Sequence, residues 1–330
     1  MNPAQPYRQA TPAPVKPRAL RPGANLAVLS PAGSPNPDRV HAGLAHLQRL
    51  GYRTTLGPHA LHAGPLYYAG TLRQRLADLL WAFTDPAVDA VLCTRGGWGS
   101  AELLPHLDPG LFRHNPKPFV GFSDITSLQT WLSHETGLVT FYGPMVSADF
   151  ARKDGVDLAS WHSALSRTEP WSLTAQSGLR ILRTGVATGT LRGGCLAILA
   201  ESLGTPFAPQ PATAADPAVL FLEDVNVKPY QWDRMLLHLR LAGQLDHVTG
   251  IIFGDMTQCH AKTASPADHA FLEAAILHAL HDFSGPIAIG LPSGHVDVPN
   301  ITLPLGVRVT LDCADAANPA MHFLEAAVSP

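Results

Sequence analysis

Charge is scarce in this 330-residue sequence: charged side chains make up 15% of it, and 23 Lys and Arg against 26 Asp and Glu leave a net charge of -3. Such a balance supplies no basic surface able to track a phosphate backbone, which argues against a nucleic-acid partner. Cysteine is equally sparse. Cys93, Cys195, Cys259 and Cys313 are scattered without a C-x-x-C pair, which offers neither a disulfide framework nor a thiolate metal site and fits a reducing cytoplasm. No stretch approaches the ~18 apolar residues that span a bilayer. The first 22 residues are rich in Pro and Ala and carry Arg8, Lys16, Arg18 and Arg21, but they lack the apolar core of a signal peptide. They are expected to form a disordered tail on a cytoplasmic protein with no membrane partner. Also missing are the G-x-x-x-x-G-K-[ST] and G-x-G-x-x-G spacings of phosphate loops and the H-E-x-x-H of a zinc helix.

What is present alternates. Leu26-Ala27-Val28-Leu29 is an apolar strand, Ser30 to Pro35 breaks it, and Asp38 to Leu50 is amphipathic. The unit recurs as Tyr52 to Leu56, then Arg73 to Phe83, then Ala90 to Cys93. A glycine turn, a helix near Ser100 to Leu107, strand Phe119 to Phe122 and a helix after Ser123 follow. This alternation implies a mostly parallel sheet with helices on both faces, and ligands bind such sheets beyond the carboxyl ends of the strands. The polar segment from Ala151 to about Thr188 reads as an interdomain linker. Beyond it, Ala218 to Leu222 and Gly250 to Gly254 read as strands, Trp232 to Ala242 and Leu272 to Leu280 as helices, and Pro286 to Asp312 as short strands broken by Gly and Pro. The expected architecture is α/β: an N-terminal domain over residues 23–150 and a second, mixed α and β domain over 189–330.

The most informative stretch is Lys117-Pro118-Phe119-Val120-Gly121-Phe122-Ser123-Asp124, where an apolar run stops at a serine and helical spacing follows. A serine on a strand-to-helix turn stands exposed at the sheet's end beside outward-pointing amides, which suits a nucleophile; its plainer use is to cap the helix. Arg95-Gly96-Gly97-Trp98-Gly99-Ser100 also follows a strand, and an amide of that turn is placed to pair with the amide of Asp124 as an oxyanion hole. A serine nucleophile needs a base and the base needs a carboxylate. Glu223 emerges at the end of Ala218 to Leu222, and His295 lies in the pliable loop Pro292-Ser293-Gly294-His295-Val296. The order Ser, Glu, His matches α/β-hydrolases, but Ile125 stands where G-x-S-x-G requires glycine, which disfavours that fold. Among the 16 histidines, His59 with His62 and His278 with His281 read as helical pairs without a third metal ligand.

Several separated blocks resemble one family, the LD-carboxypeptidases. They include Ser30 to Gly33, Arg95 to Gly99, Gly121 to Asp124, Thr136-Gly137 with Tyr142-Gly143-Pro144, Leu222 to Val225, Pro229 to Arg234, and Gly294-His295 with Asn300 to Gly306. The resemblance implies a flavodoxin- or Rossmann-like first domain with a smaller C-terminal domain and the active site at their interface, Ser123 as nucleophile, His295 as general base and then acid, and Glu223 as its orienting carboxylate. Gly97 and Asp124 would supply the oxyanion amides. No cofactor or metal is implied, and a homodimer is. The substrate implied is a small peptide, the murein tetrapeptide, cut before its terminal D-alanine during peptidoglycan recycling. For the free carboxylate of that peptide a guanidinium is the natural receptor; Arg95 is the first candidate, with Trp98 and Arg234 as further substrate contacts. Cys195 stands where the family often has Asn, and Trp98 where Tyr is common. Two other readings use the same scaffold. One is a self-immunity hydrolase of the microcin C type cleaving peptidyl-nucleotides, with Trp161 or Trp171 stacking on the base. The other is a non-catalytic small-ligand-binding protein.

Overall fold

The computed structural model of the chain describes residues 12–256, 259 and 265–330. Strands β1 (Asn25–Leu29), β2 (Arg53–Leu56), β3 (Ala90–Cys93), β4 (Phe119–Gly121) and β5 (Thr140–Tyr142) come first. Helices α1 (Pro37–Arg49), α2 (Leu72–Thr84), α3 (Pro109–His114) and α4 (Thr126–Thr136) separate them, so the chain crosses back each time and the strands run parallel. Helix starts are locally encoded. Asn36 accepts from the Arg39 N–H ahead of Pro37 in α1, and Thr71 with Gln74 forms a capping box on α2.

The second half contributes helices α5 (Leu158–Leu165), α6 (Leu196–Ser202), α7 (Pro229–Leu241) and α8 (Pro266–Ala279). Its strands are β6 (Trp171–Leu173), β7 (Arg180–Arg183), β8 (Gly185–Cys195), β9 (Ala218–Glu223), β10 (Val248–Gly254), β11 (Ile287–Leu291), β12 (Leu303–Leu305), β13 (Arg308–Cys313) and β14 (Ala320–Phe323). Two sheets result. The first has the order β12-β5-β4-β3-β1-β2 and the second β6-β14-β13-β8-β9-β10-β11-β7. The expected α/β architecture is therefore present, with a mostly parallel first sheet and a mixed second one.

The two sheets are stitched together. β12 comes from the second half of the chain yet pairs antiparallel with β5, Leu303 opposite Tyr142 and Leu305 opposite Thr140. A single apolar cluster runs through both, from Val91, Phe119 and Phe141 to Leu191, Phe221 and Leu311. A separate cluster of Trp232, Leu236, Phe253 and Ile276 lies beneath α7 and α8.

Two sequence expectations are corrected. Over its described part, residues 12–22, the supposed tail is packed: Val15 bridges Leu138, Leu20 is buried, and Lys16 pairs with Glu325 at 2.6 Å. This stretch is extended and pairs with distant chain, so it carries no local pattern to read. The supposed linker holds α5 together with both edge strands of the second sheet, β6 and β7. Edge strands expose one side to solvent, so their polar composition imitates a loop.

Candidate active site

The site forms where the carboxyl ends of both sheets converge. β4 delivers Ser123, β9 ends on Glu223, and the loop after β11 carries His295. Ser123 has φ 65°, a left-handed conformation that costs a non-glycine residue roughly 1–2 kcal/mol. It opens a short 3-10 turn over Ser123–Ile125 that leads into α4, and its own N–H donates to the Tyr142 hydroxyl at 3.2 Å. A neighbour makes room for it: a Cβ at Gly96 would lie 2.7 Å from Ser123 Cβ and 2.9 Å from its Oγ. Only glycine permits the turn after β3 to press so closely on the serine.

From Ser123 a chain of hydrogen bonds runs inward. Its Oγ lies 3.1 Å from His295 Nε2, and His295 Nδ1 lies 2.9 Å from Glu223 Oε2. The His295 backbone N–H also donates to Glu223 Oε2, at 3.0 Å. A carboxylate against Nδ1 fixes the tautomer with the proton on Nδ1, which leaves Nε2 to accept from the serine hydroxyl. Glu223 is wholly buried, and its remaining oxygen accepts from the Tyr142 hydroxyl. Burial alone would push the Glu223 carboxyl up, but the His295 charge and the converging hydrogen bonds outweigh it and hold the pKa below its usual value. For His295 burial pulls down, the Glu223 charge and hydrogen bond pull up, and the net direction is up. Burial, and then the Glu223 charge, push the Tyr142 hydroxyl far up, so it stays protonated and can donate to the glutamate.

The His295 loop is fastened from behind. Asn300 accepts from Gly294 N–H at 3.1 Å and donates to its carbonyl at 3.0 Å. Gly294 has φ 98°, and a Cβ there would fall 2.4 Å from Glu223 Cδ, so no other residue lets the loop pass the glutamate. Phe122 packs edge-on against the imidazole, with ring centroids 5.0 Å apart. Sequence reasoning did not assign Tyr142 or Asn300 a part in the site. The signals available were that both lie in blocks that carry the family resemblance and that Tyr142 ends an apolar strand.

The glycine turn and the serine turn are tied together by Asp124. Its carboxylate accepts from Ser100 N–H at 2.8 Å and its carbonyl from Ser100 Oγ at 2.6 Å; burial raises its pKa, against the pull of those Ser100 bonds. Beneath the turn the buried Arg75 donates to the Gly99 carbonyl at 2.9 Å. The Gly96 carbonyl accepts from Gly33 N–H at 3.1 Å. The C=O and N–H of a planar trans peptide point in opposite directions, so the Gly97 N–H is turned away from Gly33.

In front of Ser123 and His295 lies a cavity of about 280 Å³, walled in part by Arg39, Arg95, Met145 and Ser147. An adjoining chamber of about 420 Å³ shares Arg95 and Gly97 and is walled by Tyr67 and Trp98. Of the expected substrate contacts, Arg95 and Trp98 thus border the site. Arg234 does not, being exposed on α7 away from both chambers. Trp161 and Trp171 are core residues: Trp161 donates to the Tyr52 hydroxyl, and Trp171 stacks on Phe323 with centroids 4.1 Å apart. His59 lies in the turn after β2 rather than on a helix and is bonded to Asp78 at 2.7 Å. Among the described residues no helix is long and apolar enough to cross a membrane.

Residues 26–143 match the LD-carboxypeptidase N-terminal domain, and residues 188–311 match the LD-carboxypeptidase C-terminal domain. The chain belongs to the LD-carboxypeptidase family. It is similar to a probable murein peptide carboxypeptidase of Bacillus subtilis, with 38% identity over 91% of this chain and 92% of that one. Among solved structures it resembles an MccF-like protein of Bacillus anthracis, with 27% identity, a TM-score of 0.83, and 94% of this chain and 99% of that one covered. It also resembles the muramoyltetrapeptide carboxypeptidase of Oxalobacter formigenes, with 28% identity, a TM-score of 0.79, and 92% and 99% covered. This LD-carboxypeptidase is a hydrolase of the serine carboxypeptidase class, so a non-catalytic binding role is set aside.

Proposed function

We propose that this LD-carboxypeptidase releases the terminal D-alanine from murein tetrapeptides in cytoplasmic peptidoglycan recycling, through an acyl-enzyme on Ser123. The observation that carries the reading is the unbroken series Ser123, His295, Glu223 opening onto a cavity bordered by two guanidiniums and, among the described residues, by no carboxylate. His295 takes the hydroxyl proton as Ser123 attacks the carbonyl of the diamino acid, and Glu223 stabilises the imidazolium. The Gly97 and Asp124 N–H groups hold the oxyanion. His295 then gives its proton to the departing D-alanine amine, and a water activated by the same imidazole releases the tripeptide.

A second reading keeps the same chemistry but takes an aminoacyl- or peptidyl-nucleotide. The exposed aromatic faces of Tyr67 and Trp98 beside the nucleophile cavity favour it, and the burial of Trp161 and Trp171 counts against the contacts first considered for it. Both readings meet one experiment. Purified protein and Ser123→Ala are given L-Ala-γ-D-Glu-(diamino acid)-D-Ala and, separately, an aminoacyl-sulfamoyl adenosine. D-Alanine release that falls at least ~10³-fold in the variant supports the murein reading. Turnover of the adenosine conjugate alone supports the second.

A further inference from the structure

Arg95 drew attention as the receptor for a substrate carboxylate because it sits in the glycine turn, but the structure brings a second guanidinium to the nucleophile cavity. Arg39 lies in the first turn of α1, and its position is fixed from across the cavity. Its Nε donates to the Ser147 carbonyl at 2.6 Å and its Nη2 to the Ala148 carbonyl at 3.0 Å. The remaining nitrogen, Nη1, has no protein acceptor among the described residues. Among the described residues Arg95 is held only by Nη1 to the Ser34 carbonyl at 3.3 Å. The two therefore differ in preorganisation: Arg39 is anchored twice with one donor left over, and Arg95 is loosely tethered. A guanidinium already locked in place loses less freedom on meeting a carboxylate and discriminates better.

They also differ in position. Arg95 borders both the nucleophile cavity and the aromatic chamber beyond it, whereas Arg39 borders the nucleophile cavity alone. A carboxypeptidase has an asymmetric substrate, with a single residue on the leaving side of the scissile bond and the whole remaining peptide on the other. The longer side needs the larger run of space, which leads past Arg95 into the chamber of about 420 Å³. The single leaving residue then faces the opposite side, lined by Arg39 and the Ser147–Ala148 segment.

We infer that Arg39 is the receptor for the free C-terminal carboxylate of the leaving residue and thereby makes the enzyme an exopeptidase, with Arg95 bordering the path of the remaining peptide. The inference rests on the peptidase reading above and specifies how its substrate is recognised. Terminal-carboxylate recognition is tested by comparing release from a tetrapeptide ending in D-alanine with release from the same peptide ending in D-alaninamide, for wild type, Arg39→Gln, Arg39→Lys and Arg95→Gln. A charge-assisted hydrogen bond lost to neutralisation corresponds to a preference of roughly 10- to 100-fold for the acid. That preference collapses towards unity in Arg39→Gln, mainly through KM, is partly restored in Arg39→Lys, and persists in Arg95→Gln. A purely structural loss in Arg39→Gln slows both peptides alike and keeps the preference, and that result overturns the inference. So does a preference that disappears in Arg95→Gln instead. Absence of release from either peptide by the wild type overturns the inference together with the reading on which it rests.

Discussion

Glu223 holds the ionised form of His295 by charge and by its hydrogen bonding with Nδ1, and both leave a signature in pH. In the proposed mechanism His295 must be neutral to act as the base, and its pKa is raised, so the acid limb of kcat/KM is expected above the ordinary histidine value. Glu223→Gln removes the charge that raises it. The limb moves to lower pH while kcat drops by roughly 10³- to 10⁴-fold, because the imidazole loses both its tautomer and its counter-charge. A pH–rate profile of the two proteins reads both effects, and a limb that stays in place in the variant contradicts the assignment. At this scale the sequence was legible where a chemically committed side chain ended an apolar strand or sat in a Gly–Pro loop, as Ser123, Glu223 and His295 do. It was silent on Tyr142, Asn300 and Arg39. Those residues act through partners 81, 6 and 108 positions away, and nothing in a tyrosine, an asparagine or a helical arginine announces which backbone atom it will meet.

At the scale of elements, the turn after β3 and the turn after β4 form one unit clamped by Asp124 and Ser100. Their closeness depends on Gly96. This glycine has no positive φ demanding it, so alanine suits its backbone and fails on its contacts with Ser123 and with the Asp124 backbone nitrogen, 3.1 Å from the added Cβ. Gly96→Ala is expected to lower kcat/KM by more than ~100-fold by displacing Oγ from His295, with overpacking costing about 1–3 kcal/mol of stability. Steady-state kinetics beside a denaturant titration separates the two, and an unchanged kcat/KM would show that the turns are not in contact. The parallel β–helix units around these turns were readable because buried strands are apolar throughout and their helices are amphipathic. β6 and β7 were not, since three- and four-residue strands at a sheet's edge have too few buried positions to show a period.

The whole molecule carries a pH dependence of its own. Burial pushes the carboxyl groups of Asp149 and Asp224 up to about 6 in the folded state, and His295 is raised as well. All three bind protons more readily folded than unfolded, so each adds stability as pH falls through its folded pKa. Glu223, whose pKa is depressed, works in the opposite sense only as pH falls through its own lower value. The melting temperature is therefore expected to rise between pH 8 and pH 6, which calorimetry in buffers of matched ionic strength measures; a steady fall across that range contradicts these shifts.

The separation of Ser123 from its base by 172 residues has a consequence in time. Chains emerge from synthesis N-terminus first and their domains fold in that order. Five of the six strands of the sheet that carries the serine precede β9 in the chain, so the serine is made long before β9 supplies Glu223, and His295 follows only after β11. In the proposed mechanism a chain made only that far holds a hydroxyl without its base, and hydrolytic power arrives only as the second sheet closes on the first.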